Sequence, residues 1–116
     1  MQPEIAKRLF DARAACVAIE SFTRGLEYES YAVNAMLRSA VERQFEIVGE
    51  ALGKAVARDP SLETHVPEIH RIVGLRNRLI HGYDSVDDQL VWDLVRNKLP
   101  RLSALLGRLL DQAGIA

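Results

Sequence analysis

The chain has 116 residues, of which 48% are hydrophobic and 27% charged, and its formal net charge is −1 at pH 7. This length predicts one domain over residues 1–116, and this composition argues against a disordered chain. The near-neutral charge excludes binding of nucleic acid by overall positive charge, so any such contact needs a local basic patch.

The first predicted helix runs from about Pro3 to about Phe22. Proline suits a first helical turn, and the apolar residues that follow return at steps of four and three. The members of this stripe are Ile5, Leu9, Ala12, Cys16 and Ile19. Because the single cysteine belongs to the stripe, we expect it to be a small buried hydrophobe and not a catalytic thiol.

The second predicted helix is long and runs from about Ser30 to Arg58, where Asp59-Pro60 stops it. Apolar residues line one side of it, and they are Val33, Leu37, Ala40, Val41, Val48, Ala51, Leu52 and Ala55. This pattern predicts one unbroken helix packed along the whole domain.

A third helix is predicted from Pro67 to His81, with Gly82 in the left-handed conformation that often closes a helix. A fourth begins near Asp87, capped by Ser85 or Asp87, and Pro100 marks a kink or a restart before the last apolar face. Since no stretch alternates like a strand, we predict an all-α, antiparallel up-and-down bundle of four to five helices.

The last helical face is broad, and its leucines could exceed what one small core buries. A homodimer would cover the excess, although all of these residues could equally be internal core. The leucines in question are Leu99, Leu106 and Leu110. No apolar run reaches the length of a membrane span, and the first residues carry no signal-peptide pattern, so we expect a cytoplasmic protein without membrane contact.

The only basic concentration lies between residues 65 and 81, which hold all three histidines and three arginines. Arg71 and Arg78 fit a solvated face. Arg76 falls on the apolar face of the third helix, together with Ile69, Ile72, Val73, Ile80 and Tyr83. A guanidinium there needs either a carboxylate partner, with Glu46 and Glu50 as candidates, or a cleft that receives an anion.

Three further side chains accompany Arg76. Asn77 and His81 are four residues apart and therefore neighbours on the helix, and Tyr83 follows the helix end. A histidine at the carbonyl pole of a helix favours the imidazolium form and can serve as a proton donor, whereas a purely structural role is equally open for a lone histidine. Tyr83 is either a packing aromatic or an exposed phenol open to modification.

The string Arg76-Asn77-Arg78-Leu79-Ile80-His81-Gly82-Tyr83 resembles the R-x4-H-x-Y motif of the HEPN superfamily, in its HepT-like branch. Other segments resemble that branch in the same order along nearly the whole chain, most weakly over residues 1–28. These segments are 46–51, ending in Gly-Glu-Ala, then 66–69, 84–87, 91–92 and 99–102.

The resemblance implies an RNA-cleaving toxin of a toxin–antitoxin pair that acts as a homodimer. It implies Arg76 and His81 as catalytic residues and Tyr83 as the residue modified with AMP, and we expect Asn77 and Glu50 to support the catalytic pair. The antitoxin would be a nucleotidyltransferase of the MntA type. The chemistry agrees, because RNA carries its own nucleophile, the 2′-hydroxyl, so we expect no metal or other cofactor.

Two alternatives remain open from the sequence. The chain could be a non-catalytic helical partner, or substrate-binding subunit, of a nucleotidyltransferase. It could also be a helical dimerisation domain without chemistry, although that would leave Arg76 and its neighbours unexplained. The sequence argues against a transferase itself, because the chain has no Gly-Ser pair and no predicted strand.

Overall fold

The computed structural model describes residues 1–82, 84 and 86–114, and every regular element among them is helical. The predicted all-α bundle is therefore confirmed. The elements are α1 (Pro3–Thr23), α2 (Tyr28–Ala32), α3 (Ala35–Arg58), α4 (Leu62–His65), α5 (Ile69–His81), α6 (Asp88–Asp93), a π-helical segment (Leu94–Lys98) and α7 (Leu99–Gln112).

Helix α1 packs against α3 and α7, and α3 packs against α5. The stripe predicted on α1 is confirmed, since all five of its residues are buried in the shared core. Burial raises the pKa of the Cys16 thiol to about 12, with the charge of Glu20 as the smaller cause. Cys16 is thus the buried hydrophobe that the pattern predicts, because the reactive thiolate is suppressed.

The prediction of one unbroken second helix is wrong. Helix α2 ends at Ala32 and α3 begins at Ala35, because the Asn34 side chain accepts a hydrogen bond from the Leu37 N–H at 3.0 Å and starts a new helix. Val33 lies at the break and is 84% exposed, so its expected place on the buried side is also wrong. Tyr31 is buried instead, with its ring 5.1 Å from that of Trp92.

The helix predicted to start at Pro67 begins two residues later, at Ile69, after the short α4. It ends at His81 as predicted, but Gly82 has φ −143°, so the expected left-handed closure is wrong. The Gly82 N–H instead donates to the Arg78 carbonyl at 2.8 Å, as a helical residue would. Ile80, expected on the inner face, is 42% exposed.

The second half of the chain closes the bundle. Asp87 caps α6 as predicted, since its carboxylate accepts hydrogen bonds from the N–H groups of Gln89 and Leu90. The expected irregularity at Pro100 takes the form of the wider π turn before α7, which suits a residue that lacks an N–H and crowds the preceding turn.

The leucines that could have been surplus are internal core, since the three of them, Leu99, Leu106 and Leu110, are at most 2% exposed. Exposed apolar side chains are found on α1 and not among these leucines: Phe10 and Val17 are 55% and 49% exposed. Within the residues described, no helix is both long and apolar enough to cross a membrane.

Candidate active site

Helix α5 carries the predicted site residues and packs against α3. Gly49 of α3 faces Ile72 and Arg76, and Gly53, one turn later on α3, faces Val73. The buried side chains of α5 fix its orientation, and they are Ile69, Ile72, Leu75 and Leu79. This packing turns Arg76 toward α3 and leaves Asn77 and His81 exposed.

Gly49 sets the distance between the two helices at Arg76. A Cβ at position 49 would lie 2.5 Å from the Arg76 Cβ and 3.1 Å from the Ile72 carbonyl oxygen. The first distance is far inside van der Waals contact, and neither the start of a side chain nor a backbone carbonyl can swing away. Only glycine therefore permits this approach, which places the stem of Arg76 directly against α3.

The guanidinium of Arg76 is only partly satisfied. Its Nη1 donates to the Asn77 Oδ1 at 3.2 Å, whereas its Nε is buried and has no hydrogen-bond partner. A buried donor without a partner costs free energy, so each such group in a native fold calls for an explanation. Arg76 lies on an open groove of about 240 Å³, whose other lining residues are Gly49, Glu50, Gly53, Lys54, Ala57 and Val73.

The expected carboxylate partners of Arg76 are engaged elsewhere. Glu46 forms an ion pair with Arg43 at 3.0 Å, and Glu50 forms one with Lys54 at 3.3 Å. Among the residues described, neither glutamate forms an ion pair with Arg76, so of the two alternatives the ion pair is not observed and the cleft remains. Glu50 still lies within electrostatic reach, because its pKa is lowered first by the hydrogen bond and charge of Lys54 and then, more weakly, by the charge of Arg76.

Arg76 and His81 occupy different sides of α5. A separation of five residues at 3.6 residues per turn corresponds to about 140° around the helix axis. Asn77 lies between them in angle, and its side chain holds Nη1 of Arg76. Within one chain, therefore, the Arg76 guanidinium is linked to Asn77, which lies on the His81 side of the helix, and not to His81 itself. Tyr83, the predicted modification site, lies outside the described residues, as does Ser85.

Two features of the site went unnoticed in the sequence. One is the close approach at Gly49, which could have been suspected because a glycine inside a long helix is costly and often marks tight packing. The other is Lys54, which lines the groove beside Arg76 but looks like an ordinary surface lysine in the sequence.

Comparison with known proteins matches residues 12–109 to the model of a family described as ribonuclease HepT-like. The chain belongs to the HepT-like ribonuclease family. The resemblance to this branch of the HEPN superfamily is thereby confirmed, as is the predicted enzyme class, a ribonuclease.

Individual relatives agree with the family match. A protein of Thermococcus cleftensis named "Probable ribonuclease HepT" is 32% identical over 102 residues, which are 87% of this chain and 91% of the relative. Two provisionally named RNases of Methanocaldococcus jannaschii are 31% and 33% identical, over 85% and 81% of this chain and 81% and 85% of their own lengths. No solved structure matched the chain. Membership of the HepT-like family assigns no role to a particular side chain, so the roles of Arg76, Asn77, His81 and Glu50 stay predictions.

Proposed function

We propose that this HepT-like protein is a metal-independent endoribonuclease whose cleavage centre is formed by Arg76 and His81. The observation that carries the proposal is the state of Arg76. Its guanidinium is held by Asn77, is left without a carboxylate partner among the described residues, and keeps a buried Nε unpaired beside an open groove. A phosphate offers a charged acceptor with two oxygens that the planar guanidinium can bind by two parallel N–H donors.

The reaction forms one phosphorus–oxygen bond, breaks another and transfers two protons. The 2′-oxygen of RNA attacks the adjacent phosphorus while its proton passes to a base, the phosphorus–O5′ bond breaks, and a proton is delivered to O5′. The products are a 2′,3′-cyclic phosphate and a 5′-hydroxyl. Arg76 stabilises the charge that develops on phosphorus, and His81 transfers a proton. Asn77 positions Arg76. Glu50, on α3, holds Lys54 by an ion pair beside Arg76 in the groove and so supports the positive charge there.

Two protons need two transfer groups, and one imidazole supplies only one at a time. Because Arg76 and His81 also lie on different sides of α5, a single chain presents them poorly to one phosphate. We therefore propose a homodimer in which the α5 helices of both copies face a shared cleft. A mixed dimer of wild-type and His81→Ala chains keeps only one imidazole in the cleft, so an excess of His81→Ala chains should lower the cleavage by a fixed amount of wild type. Cleavage unaffected by that excess, or a monomer in sedimentation, would reject the shared cleft.

The direct test is cleavage of single-stranded RNA in EDTA. Arg76→Ala should lower the rate by about 10²–10³-fold and His81→Ala by about 10²–10⁴-fold, with the fold intact by circular dichroism. Arg24→Ala, at the end of α1, is the control that removes one exposed arginine elsewhere. Wild-type cleavage only with a divalent metal would reject the mechanism, and equal rates for wild type and Arg76→Ala would reject the site.

We further propose that the protein is a toxin silenced by a cognate nucleotidyltransferase of the MntA type. The phenol oxygen of Tyr83 would attack the α-phosphorus of ATP on that partner, releasing pyrophosphate and leaving AMP on the tyrosine. The new phosphate would compete with RNA for Arg76.

Tyr83→Phe should cut RNA at a rate near that of wild type but escape protection on co-expression, and intact mass should show AMP only on wild type. Equal protection of both would reject silencing through Tyr83, and a partner that binds a chain unable to cut RNA would favour the non-catalytic role.

A further inference from the structure

The exposed side of α5 carries a second groove, separate from the one between α3 and α5. It has a volume of about 230 Å³ and lies between α5 and the α6–π segment. Its lining residues are His70, Arg71, Gly74, Leu75, Arg78, Leu90 and Leu94. We propose that this groove binds the single-stranded RNA that leads to the scissile bond, an inference that rests on the proposed ribonuclease function.

Charge favours RNA as the occupant. Arg71 and Arg78 are exposed, and neither forms an ion pair within the part of the chain that the structure describes. Among the residues described, no carboxylate lines the groove, and its His70 forms an ion pair with Glu63 at 3.3 Å. Two guanidinium groups that form no ion pair with the described residues suit the phosphates of RNA.

Shape points the same way. Gly74 lines the groove, and in the described part of the chain nothing beyond its own stretch of helix backbone lies within 4 Å of the position that its Cβ would take, so α5 is open to close approach there. Leu75, Leu90 and Leu94 supply an apolar wall for a base. The two arginines are seven residues apart, or about 10 Å along the helix axis, so they can hold different phosphates of one strand.

The groove leads to the proposed chemistry. Arg78 and His81 are three residues apart and Gly74 and His81 seven, so these residues share one side of α5. A strand that follows Arg71, Gly74 and Arg78 therefore reaches His81 at the end of the helix. In a protein of nearly neutral charge, two arginines that form no ion pair with the described residues give this one side a local positive charge.

Binding and cutting can be tested separately with a fully 2′-O-methylated RNA oligonucleotide, which lacks the nucleophile and cannot be cleaved. Fluorescence anisotropy across a salt series should show weaker binding by Arg71→Ala/Arg78→Ala, about tenfold, and a salt slope smaller by about 1.4, which corresponds to two lost phosphate contacts on a single strand. Arg24→Ala, which removes an exposed arginine just after the end of α1, should bind within twofold of wild type.

A second pair of variants tests the groove at Gly74. The open space at Gly74 should accept Glu or Gln without disturbing the fold. Gly74→Glu adds a carboxylate between the arginines and should weaken RNA binding more than Gly74→Gln, which has the same size without charge. If the wild type cuts RNA, and both Gly74 variants and the double arginine variant bind RNA as tightly as the wild type does, the RNA-binding role of the groove would be overturned while the proposed ribonuclease function would stand. Loss of a dimer in the arginine variant with RNA affinity unchanged would assign the surface to a second copy and overturn the inference. A wild type that neither binds nor cuts RNA would overturn the proposed function and this inference together.

Discussion

The two sides of α5 use glycine for opposite purposes. On the inner side, Gly49 of α3 is needed because Arg76 and the Ile72 carbonyl leave no room for a Cβ. On the outer side, Gly74 faces open space. In the sequence both are simply glycines within helices, each costing about 1 kcal/mol relative to alanine. The lower helix stability is offset by close helix contact at Gly49 and, as we propose, by access for the ligand at Gly74.

The largest effect should follow from Gly49→Ala. The added methyl must push α5 away from α3, which we expect to lower the free energy of unfolding by about 2 kcal/mol, the cost typical of overpacking. The same shift moves Arg76, so RNA cleavage should fall by up to about 10²-fold, as small displacements of a positioning group can do. Urea unfolding and single-turnover cleavage of the folded variant measure the two effects.

Gly53→Ala is the matched control on the same helix. Its Cβ would lie 3.8 Å from the Val73 Cγ2, an ordinary contact, so the fold should be as stable as wild type or more so. If Gly49→Ala and Gly53→Ala were equally stable and equally active, the close approach at position 49 would have no functional consequence.

A smaller effect of opposite sign should follow from Gly74→Ala. The exposed position has room for the methyl, and alanine favours the helix, so the free energy of unfolding should rise by about 0.5–1 kcal/mol. Thermal unfolding checks the shift, which amounts to a few degrees for a domain of this size. A destabilised Gly74→Ala would contradict the open outer side of α5 and remove the contrast with Gly49.

Sequence periodicity predicted the helices that bury one continuous stripe. The stripe on α1 and the end of α5 at His81 are where the pattern placed them, because apolar spacing directly reports which face enters the core. The break at Val33–Asn34 was missed since asparagine within an apolar pattern reads as an ordinary polar residue until its side chain is seen to accept the Leu37 N–H.

The candidate site was predictable in composition but not in arrangement. The motif residues could be named from the R-x4-H-x-Y string, and the inward direction of Arg76 followed from helical spacing. Its partner could not be predicted, because Glu46 and Glu50 are both within reach of α5 in principle, and each is taken by a basic neighbour on α3 itself. Local ion pairs three or four residues apart form without any tertiary contact, so they compete well with a partner on another helix.

The smallest expected change in the free energy of unfolding comes from removing a charge without altering the packing. Glu42, in the first half of α3, allows this effect to be measured by itself. Burial, followed by the charge of Asp88, raises the pKa of the Glu42 carboxyl, with Arg38 opposing and Glu46 adding to the shift. Between the ordinary value of 4.5 and this raised pKa, the folded protein holds more protons than the unfolded chain, so its stability falls as pH rises through that window. Glu42→Gln should therefore stabilise the protein at neutral pH, by less than about 1 kcal/mol since the partly exposed group is screened by solvent. The difference between variant and wild type in urea unfolding should vanish as the pH falls below 4.5, where both side chains are neutral. A difference that stayed constant from pH 4 to pH 7 would mean that the substitution acts through packing, as at Gly49, and not through charge.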